Sequence, residues 1–305
     1  MNRVAHEIAV GRAPAEEALA EPGLLSDLAT ITKARLSLLV IVTTFVGVCM
    51  ASDKGLDWLL IANVTFGTTL AAAAAGVLNQ VMEVQVDRLM ERTRRRPLPA
   101  GRWRLLNALI LGLVLAGVGV TWLWLTCNAL SAYLAAATVL IYLAVYTPLK
   151  RRTALCTIVG AVSGAIPPMI GWTAARPSLD LGAWVLFGIL FTWQMPHFLA
   201  IAWMYRDEYA QAGFVMLKRD DANGTSTALT SLLFTAALVA VTLVPFWAGM
   251  VSSVYLGGAL LLDAALTGCA LRFLVERTRD AARGLFLASI LFLPLLLGLM
   301  VFTKT

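Results

Sequence analysis

Charge is what this sequence has least of. Asp, Glu, Lys and Arg together make up 14% of its 305 residues, while 59% are hydrophobic. Soluble domains carry roughly a quarter charged residues, so the composition points to the membrane class, and the mean hydropathy of +0.79 agrees. Cysteine is sparse and unpatterned. Cys49, Cys127, Cys156 and Cys269 each fall in or at the end of an apolar run, and none has CxxC or CxxxH spacing, which excludes a cysteine metal site and leaves free thiols. The two histidines are His6, in a polar opening segment, and His197. There is no early charged run followed by a short apolar core and a small-residue cleavage site. Met1 to about Glu21 therefore reads as a polar tail, and the first apolar helix as its own uncleaved signal.

Long apolar runs are abundant. Crossing the hydrocarbon core takes about 20 apolar residues, and nine such runs are predicted, over 36–52, 57–78, 105–126, 128–147, 154–174, 181–203, 228–250, 252–271 and 284–302. The expected fold is an all-α polytopic membrane protein, a bundle of about nine transmembrane helices. Residues 1–30 are expected to form a polar cytoplasmic tail and 31–305 the transmembrane domain. Of the 24 Lys and Arg residues, 21 fall in the N-terminal segment and the 2/3, 4/5, 6/7 and 8/9 loops, and 3 on the other side. Cytoplasmic loops retain positive charge, so the N-terminus is placed inside and the C-terminus outside. The same bias accounts for the net charge of +6 without nucleic acid as a partner.

Asn79 to Gly101, NQVMEVQVDRLMERTRRRPLPAG, interrupts the apolar pattern. Asn79, Glu83 and Asp87 recur every four residues, which stacks three oxygen-bearing side chains along one helical stripe. Hard divalent cations favour such oxygens, and Mg2+ is normally held by one or two carboxylates together with substrate phosphates. Arg92, Arg94, Arg95 and Arg96 follow, before Pro97 and Pro99 are expected to stop the helix. The stretch reads as a magnesium diphosphate site at a membrane surface. The plainer alternative is that the acids are solvated or paired with Arg88 and Arg92.

Loop 6/7, Met204 to Ser226, supplies Asp207, Glu208, Asp220 and Asp221. It lies four helices after loop 2/3, at the corresponding position of two four-helix halves, so that the two polar ends are expected to face each other. Carboxylates on both sides would then hold two metal ions on one diphosphate; otherwise this is an ordinary charged loop. Loop 4/5, YTPLKRRT, offers Lys150, Arg151 and Arg152, as phosphate contacts or as positive-inside anchors. His197, in WQMPHF, fits a hydrogen-bonded packing residue, a ligand or a proton carrier. Asp263 falls well inside the eighth span, where an ionised group is costly. Gly160, Gly164, Pro167 and Pro168 in GAVSGAIPPMIGW suggest close helix packing and a kink that widens a cavity.

Taken together, NQVMEVQVDRLMERTRRRPLPAG, YTPLKRRT with GAVSGAIPPMIGW, and WQMPHFLAIAWMYRDEYAQAGFVML resemble the protoheme IX farnesyltransferases of the UbiA-type intramembrane prenyltransferase superfamily, over roughly residues 31–302. The resemblance implies nine helices around a cavity open sideways to lipid. It also implies transfer of a farnesyl group from farnesyl diphosphate to a vinyl group of heme B, with water added, giving heme O on the way to heme A. Asn79, Glu83 and Asp87 match the family's first metal and diphosphate motif, and Arg88, Arg92 and Arg96 its basic positions. Lys150 and Arg151 match the loop after helix 4; His197, Glu208 and Tyr209 match the second block, from which Asp207 and Glu208 are taken as further metal candidates. Mg2+ is the implied cofactor, heme B a substrate, and heme A synthase the implied neighbouring enzyme, in a bacterial cytoplasmic membrane. The sequence departs from the family pattern in four ways: Glu83 stands where Asp is more common, Ala34 where proline is usual and Cys156 where asparagine is common, and the second stretch lacks a regular DxxxD. Rival readings are a UbiA-type enzyme acting on an aromatic quinone or chlorophyll precursor, a transporter using Asp263 and an internal repeat, and a noncatalytic heme-binding assembly factor.

Overall fold

A computed structural model describes residues 23–305 except Lys54 and Arg219. The expected tail up to Glu21, with His6, lies outside the described residues. Eleven helices follow one another: α1 Leu24–Ile31, α2 Ala34–Ala51, α3 Trp58–Asp87, α4 Leu105–Thr126, α5 Ala129–Leu149, α6 Cys156–Ala175, α7 Leu181–Met204, α8 Arg206–Gln211, α9 Thr225–Trp247, α10 Ser253–Glu276 and α11 Arg279–Phe302. No strand occurs among the described residues. Eight of these helices (α3 to α7 and α9 to α11) are long and apolar enough to cross a membrane, and α2 contributes a shorter apolar stretch, Ser37–Ala51. The nine predicted runs thus each correspond to a helix.

The outer faces carry large apolar side chains in the open, among them Leu113, Leu125, Leu261, Leu291 and Trp247. In water these would be a liability; in lipid they are the solvated surface. Because lipid is as apolar as leucine, helix association inside a bilayer depends on close packing, and small residues permit it. A Cβ added at Gly47 of α2 would lie 2.0 Å from the Pro168 carbonyl oxygen of α6, and one at Gly171 of α6 would lie 1.9 Å from that of Thr44. The two helices therefore cross with backbones in contact. Neighbours continue from α3 on α4, α4 on α5 and α5 on α6 to α7 on α9, α9 on α10 and α10 on α11, with α11 returning against α7 and α2.

Three local departures matter for the site. First, α3 stops at Asp87, ten residues before the expected proline stop. Thr93 Oγ1 donates to the Asp87 carbonyl oxygen at 2.7 Å, and Met90, 3% exposed, turns inward against Tyr209 and Phe214. Burying Met90 and satisfying that carbonyl favour turns over another helical revolution. Second, α5 widens into a π-helical turn over Ile141–Tyr146, a distortion often found at functional sites. Third, the consecutive prolines, which lack N–H donors, divide α6 into Cys156–Ala165 and Pro167–Ala175.

α1 occupies the end of the segment expected to be a polar tail. It is anchored where Arg102 forms a bidentate ion pair with Asp27 and where Gln80 Nε2 donates to the Thr30 and Ile31 carbonyls at 3.2 and 2.8 Å. Loops 2/3, 4/5 and 6/7 meet at one end of the bundle: Arg92 reaches Tyr209, and Val215 N donates to the Lys150 carbonyl. Loop 1/2, loop 5/6 and the C-terminus meet at the other, where Arg176 pairs with Asp53 and Lys304 donates to the Cys49 carbonyl.

Candidate active site

The α3 stripe forms as its spacing implies. Asn79, Glu83 and Asp87 are all buried, at 1%, 7% and 1% exposure, and none is left solvated. Asn79 Nδ2 donates to Glu83 Oε2 at 2.9 Å and to Thr147 Oγ1 at 3.2 Å. Lys150 Nζ holds both Glu83 oxygens, at 2.7 and 2.8 Å. Arg96 Nη1 donates to Asp87 Oδ2 at 2.8 Å. The acids are paired, as the plainer reading held, but with Lys150 and Arg96 instead of Arg88 and Arg92.

Lys33, which sequence reasoning did not single out, completes the cluster. It sits between α1 and α2 and donates to Asn79 Oδ1 at 2.6 Å and to the Tyr142 hydroxyl at 3.2 Å. Burial, reinforced by Lys150 and Arg96 nearby, pushes its ammonium pKa down to about 7. Two paired cations and a third amine that readily takes up a proton thus surround two carboxylates, and a bound anion would favour the protonated amine. The π-helical turn of α5 brings two rings to this point: Lys33 lies 5.6 Å from the Tyr142 ring centre, and Lys150 4.7 Å from that of Tyr146. Each ring face receives an ammonium group.

The other predicted residues are placed as follows. Arg88 is exposed and makes one long contact to Gln85, and Arg151 is exposed. Arg92 is engaged between loops, donating to the Tyr209 hydroxyl at 2.6 Å with its guanidinium 5.2 and 4.8 Å from the Tyr205 and Tyr209 ring centres. Loops 2/3 and 6/7 do face each other, as expected, but through this Arg92 contact and the Met90, Tyr209 and Phe214 cluster. Asp207 does not join the stripe; it pairs with Arg279 at 2.5 Å and with Arg206 at 3.6 Å, and lines a separate crevice under loop 6/7. Glu208 Oε2 is buried with no hydrogen-bond partner. Asp221 caps α9, accepting from Ser226 N and Thr227 N at 2.9 and 2.8 Å, so it is structural.

From Lys33 a cavity of about 230 Å³ runs between α2, α3, α5, α6 and α7 to His197. Lys33 is the one charged side chain on its wall among the described residues. Its sides are small residues, including Ala71, Ala75, Gly76 and Ala135. The glycines of α6 work differently from a simple packing stripe. Gly160 admits the Tyr146 ring, and a Cβ at Gly164 would lie 2.0 Å from Gln194 Oε1. On the α7 wall, His197 Nδ1 lies 2.8 Å from Ser289 Oγ. Asp263, for which the sequence offers no partner, accepts from Thr242 Oγ1 at 2.7 Å, away from this cavity.

The donor set fits a magnesium diphosphate. Three oxygen-bearing side chains lie on one stripe, and their present partners are ammonium and guanidinium groups that also bind phosphate. Among the described residues no three His, Cys, Asp or Glu side chains form a metal cage by themselves, which suits an ion that shares its coordination with substrate oxygens.

Comparison with known proteins identifies the family. The UbiA prenyltransferase family matches residues 40–296. A protoheme IX farnesyltransferase of Solibacter usitatus (strain Ellin6076) is 43% identical over 289 residues, covering 92% of this chain and 99% of its own. The protein of the same description in Opitutus terrae is 41% identical over 285 residues, covering 92% and 95%. Among solved structures, a digeranylgeranylglyceryl phosphate synthase superposes with a TM-score of 0.78 at 15% identity, covering 92% of this chain and 98% of its own. A UbiA homolog from Archaeoglobus fulgidus bound to GPP and Mg2+ gives 0.66 at 11% identity, covering 90% and 99%. At those identities the two structures speak for the fold alone.

Proposed function

This chain belongs to the UbiA prenyltransferase family, and we propose that it transfers the farnesyl group of farnesyl diphosphate to a vinyl group of heme B, forming heme O. The observation that carries the reading is a cavity with Lys33 on one wall, bonded to the buried, ion-paired stripe of α3, and a lone imidazole on its α7 wall. The high identity to protoheme IX farnesyltransferases along almost the whole chain favours heme over an aromatic acceptor.

In this reading Asn79, Glu83 and Asp87 hold Mg2+ together with diphosphate oxygens, and the ion supplies neutralising charge for the departing diphosphate. Lys150, Arg96 and Lys33 turn from their present partners to the phosphates, while Arg88 and Arg151 add cationic charge at the exposed rim. As the allylic C–O bond breaks, negative charge grows on the leaving diphosphate, and these groups stabilise that state more than the bound substrate. The vinyl carbon of heme B forms the new C–C bond to the farnesyl carbon, water supplies the hydroxyl, and the proton balance closes on the released diphosphate. The apolar wall keeps water from the allylic cation until the vinyl group captures it. Of the second stretch, Glu208 remains a metal candidate, while Asp207 is committed to Arg279. The mouth at the α3 stripe faces the cytoplasm of a bacterial inner membrane, by the positive-inside bias, and heme A synthase is the neighbouring enzyme that takes the product.

The test is incubation of the purified protein with heme B, farnesyl diphosphate and Mg2+, followed by mass analysis of the heme. The expected product is heme heavier by a farnesyl group and one hydroxyl, the second water proton leaving with the diphosphate. Recovery of unchanged heme B while an aromatic acid in the same assay is prenylated would overturn the acceptor assignment and retain the enzyme class.

A further inference from the structure

His197 is held by one short segment of α11. Ser289, 0% exposed, uses its side chain and its backbone for two different jobs. Its hydroxyl lies 2.8 Å from His197 Nδ1 and donates to the Phe286 carbonyl at 2.7 Å, and its own carbonyl accepts from Trp193 Nε1 at 2.8 Å. Trp193 and Phe286 in turn sandwich the imidazole, each with its ring centre 5.0 Å away, at interplanar angles of 23° and 32°. Rotation of the imidazole out of this slot would break a hydrogen bond and two ring contacts.

The hydroxyl has one proton. If that proton goes to the Phe286 carbonyl, Ser289 Oγ meets His197 as an acceptor, and Nδ1 must carry the ring proton. The opposite assignment leaves the 2.7 Å contact between Oγ and the Phe286 carbonyl with no proton in it. Only the Nδ1-protonated form makes both contacts hydrogen bonds. The unprotonated nitrogen is then Nε2, which has no hydrogen-bond partner among the described residues, is not sealed inside the protein, and belongs to a residue on the cavity wall. Histidines that bind metal characteristically donate the far ring N–H to an acceptor in this way, which fixes tautomer and orientation.

We propose that Ser289 is a positioning residue that holds His197 in its Nδ1-protonated form, presenting the Nε2 lone pair to the cavity as an axial ligand for the iron of the heme substrate. The inference rests on the heme assignment above. It replaces a choice between ligand and proton carrier with one role, and adds a residue on α11 that no motif marks. The bound heme is thereby oriented by its iron against the α7 wall, with a vinyl edge free to meet the farnesyl chain held from the α3 side.

The experiment is titration of the purified protein in detergent with heme B, followed by absorption and resonance Raman spectroscopy of the ferrous complex. Wild type should show histidine ligation and an iron–histidine stretching band; His197→Ala should lose both, and added imidazole should restore ligation. Ser289→Ala should keep the heme but shift the stretching band and weaken binding by roughly tenfold, the lower end for loss of an outer-shell hydrogen bond. Ser289→Cys, which keeps the volume with a weaker acceptor, should fall between the two, and Ser289→Thr should restore the wild-type band. A band and affinity unchanged in both Ser289→Ala and Ser289→Cys overturn the positioning role. A wild-type heme spectrum that survives His197→Ala overturns the ligation while leaving the heme assignment standing. Wild-type protein that forms no heme complex overturns both.

Discussion

The α3 side of the site and the α7 side that carries His197 are built on opposite principles. At the mouth each carboxylate of the α3 stripe is matched by a cation, Glu83 by Lys150 and Asp87 by Arg96, with Lys33 beside them. Around His197 no charged side chain touches the ring; a hydroxyl, an indole and a phenyl ring hold it. Charged partners inside a protein are costly to bring together, and the surrounding groups make them exchangeable for another charged species. Neutral hydrogen bonds and ring contacts give orientation instead. One side is suited to handling charge that changes during a reaction, and the other to holding a large substrate still.

The largest break in this contrast should come from Asp87→Ala. Loss of the charge that holds Arg96 and the proposed metal should reduce heme O formation by about a thousandfold, the upper range for removing one group that stabilises developing charge, with membrane insertion unchanged. Mass analysis of product and the level of inserted protein check this together. Next, Lys150→Met leaves Glu83 buried without its cation and should cost about 3 kcal/mol of stability. Adding Glu83→Gln to that variant should recover most of the thermal stability in detergent while transfer stays lost, since the uncompensated charge has gone but the phosphate-binding ammonium has not returned.

A smaller effect is expected on the neutral side. Gly164→Ala places a methyl group 2.0 Å from Gln194 Oε1 and should cost roughly 1–3 kcal/mol as the amide is displaced. The accompanying fall in activity should be a rise in KM, because the change narrows the cavity and leaves the mouth intact. The smallest effect is expected from Asp207→Ala. Its ion pair with Arg279 is exposed, with side chains 62% and 58% accessible, and such pairs contribute about 0.2–1 kcal/mol. Transfer should be retained; a loss comparable to that of Asp87→Ala would return Asp207 to the metal site.

Much of the frame is legible in the sequence because lipid makes a simple demand. Apolar runs must be long enough to span, and each predicted run has its helix. The stripe is legible for a similar reason, since i, i+4 spacing alone puts Asn79, Glu83 and Asp87 on one face. What surrounds it is not. Lys33 reads as one more positive-inside residue until Asn79 and Tyr142 are seen beside it, and Tyr142 reaches it through a π-helical turn that ordinary helical periodicity does not reveal. Arg92 lies in the same basic cluster as Arg96, yet its partners come from residues 205 and 209, more than a hundred positions away. Ser289 is hidden most completely. A serine inside an apolar span usually bonds back to its own helix, and this one does so with Phe286 while also fixing His197, a relation that depends on α11 packing against α7.

The division of labour between the two sides is most directly tested by one crossed binding measurement. Purified wild type, Asp87→Ala and His197→Ala would each be titrated with heme B and, separately, with an unreactive farnesyl diphosphate analogue in the presence of Mg2+. The account predicts that Asp87→Ala loses the analogue and keeps heme, and that His197→Ala keeps the analogue and loses the axial heme spectrum. If both variants lose the same ligand, or if either loses both while remaining folded, the site does not have two separate sides and the account is wrong.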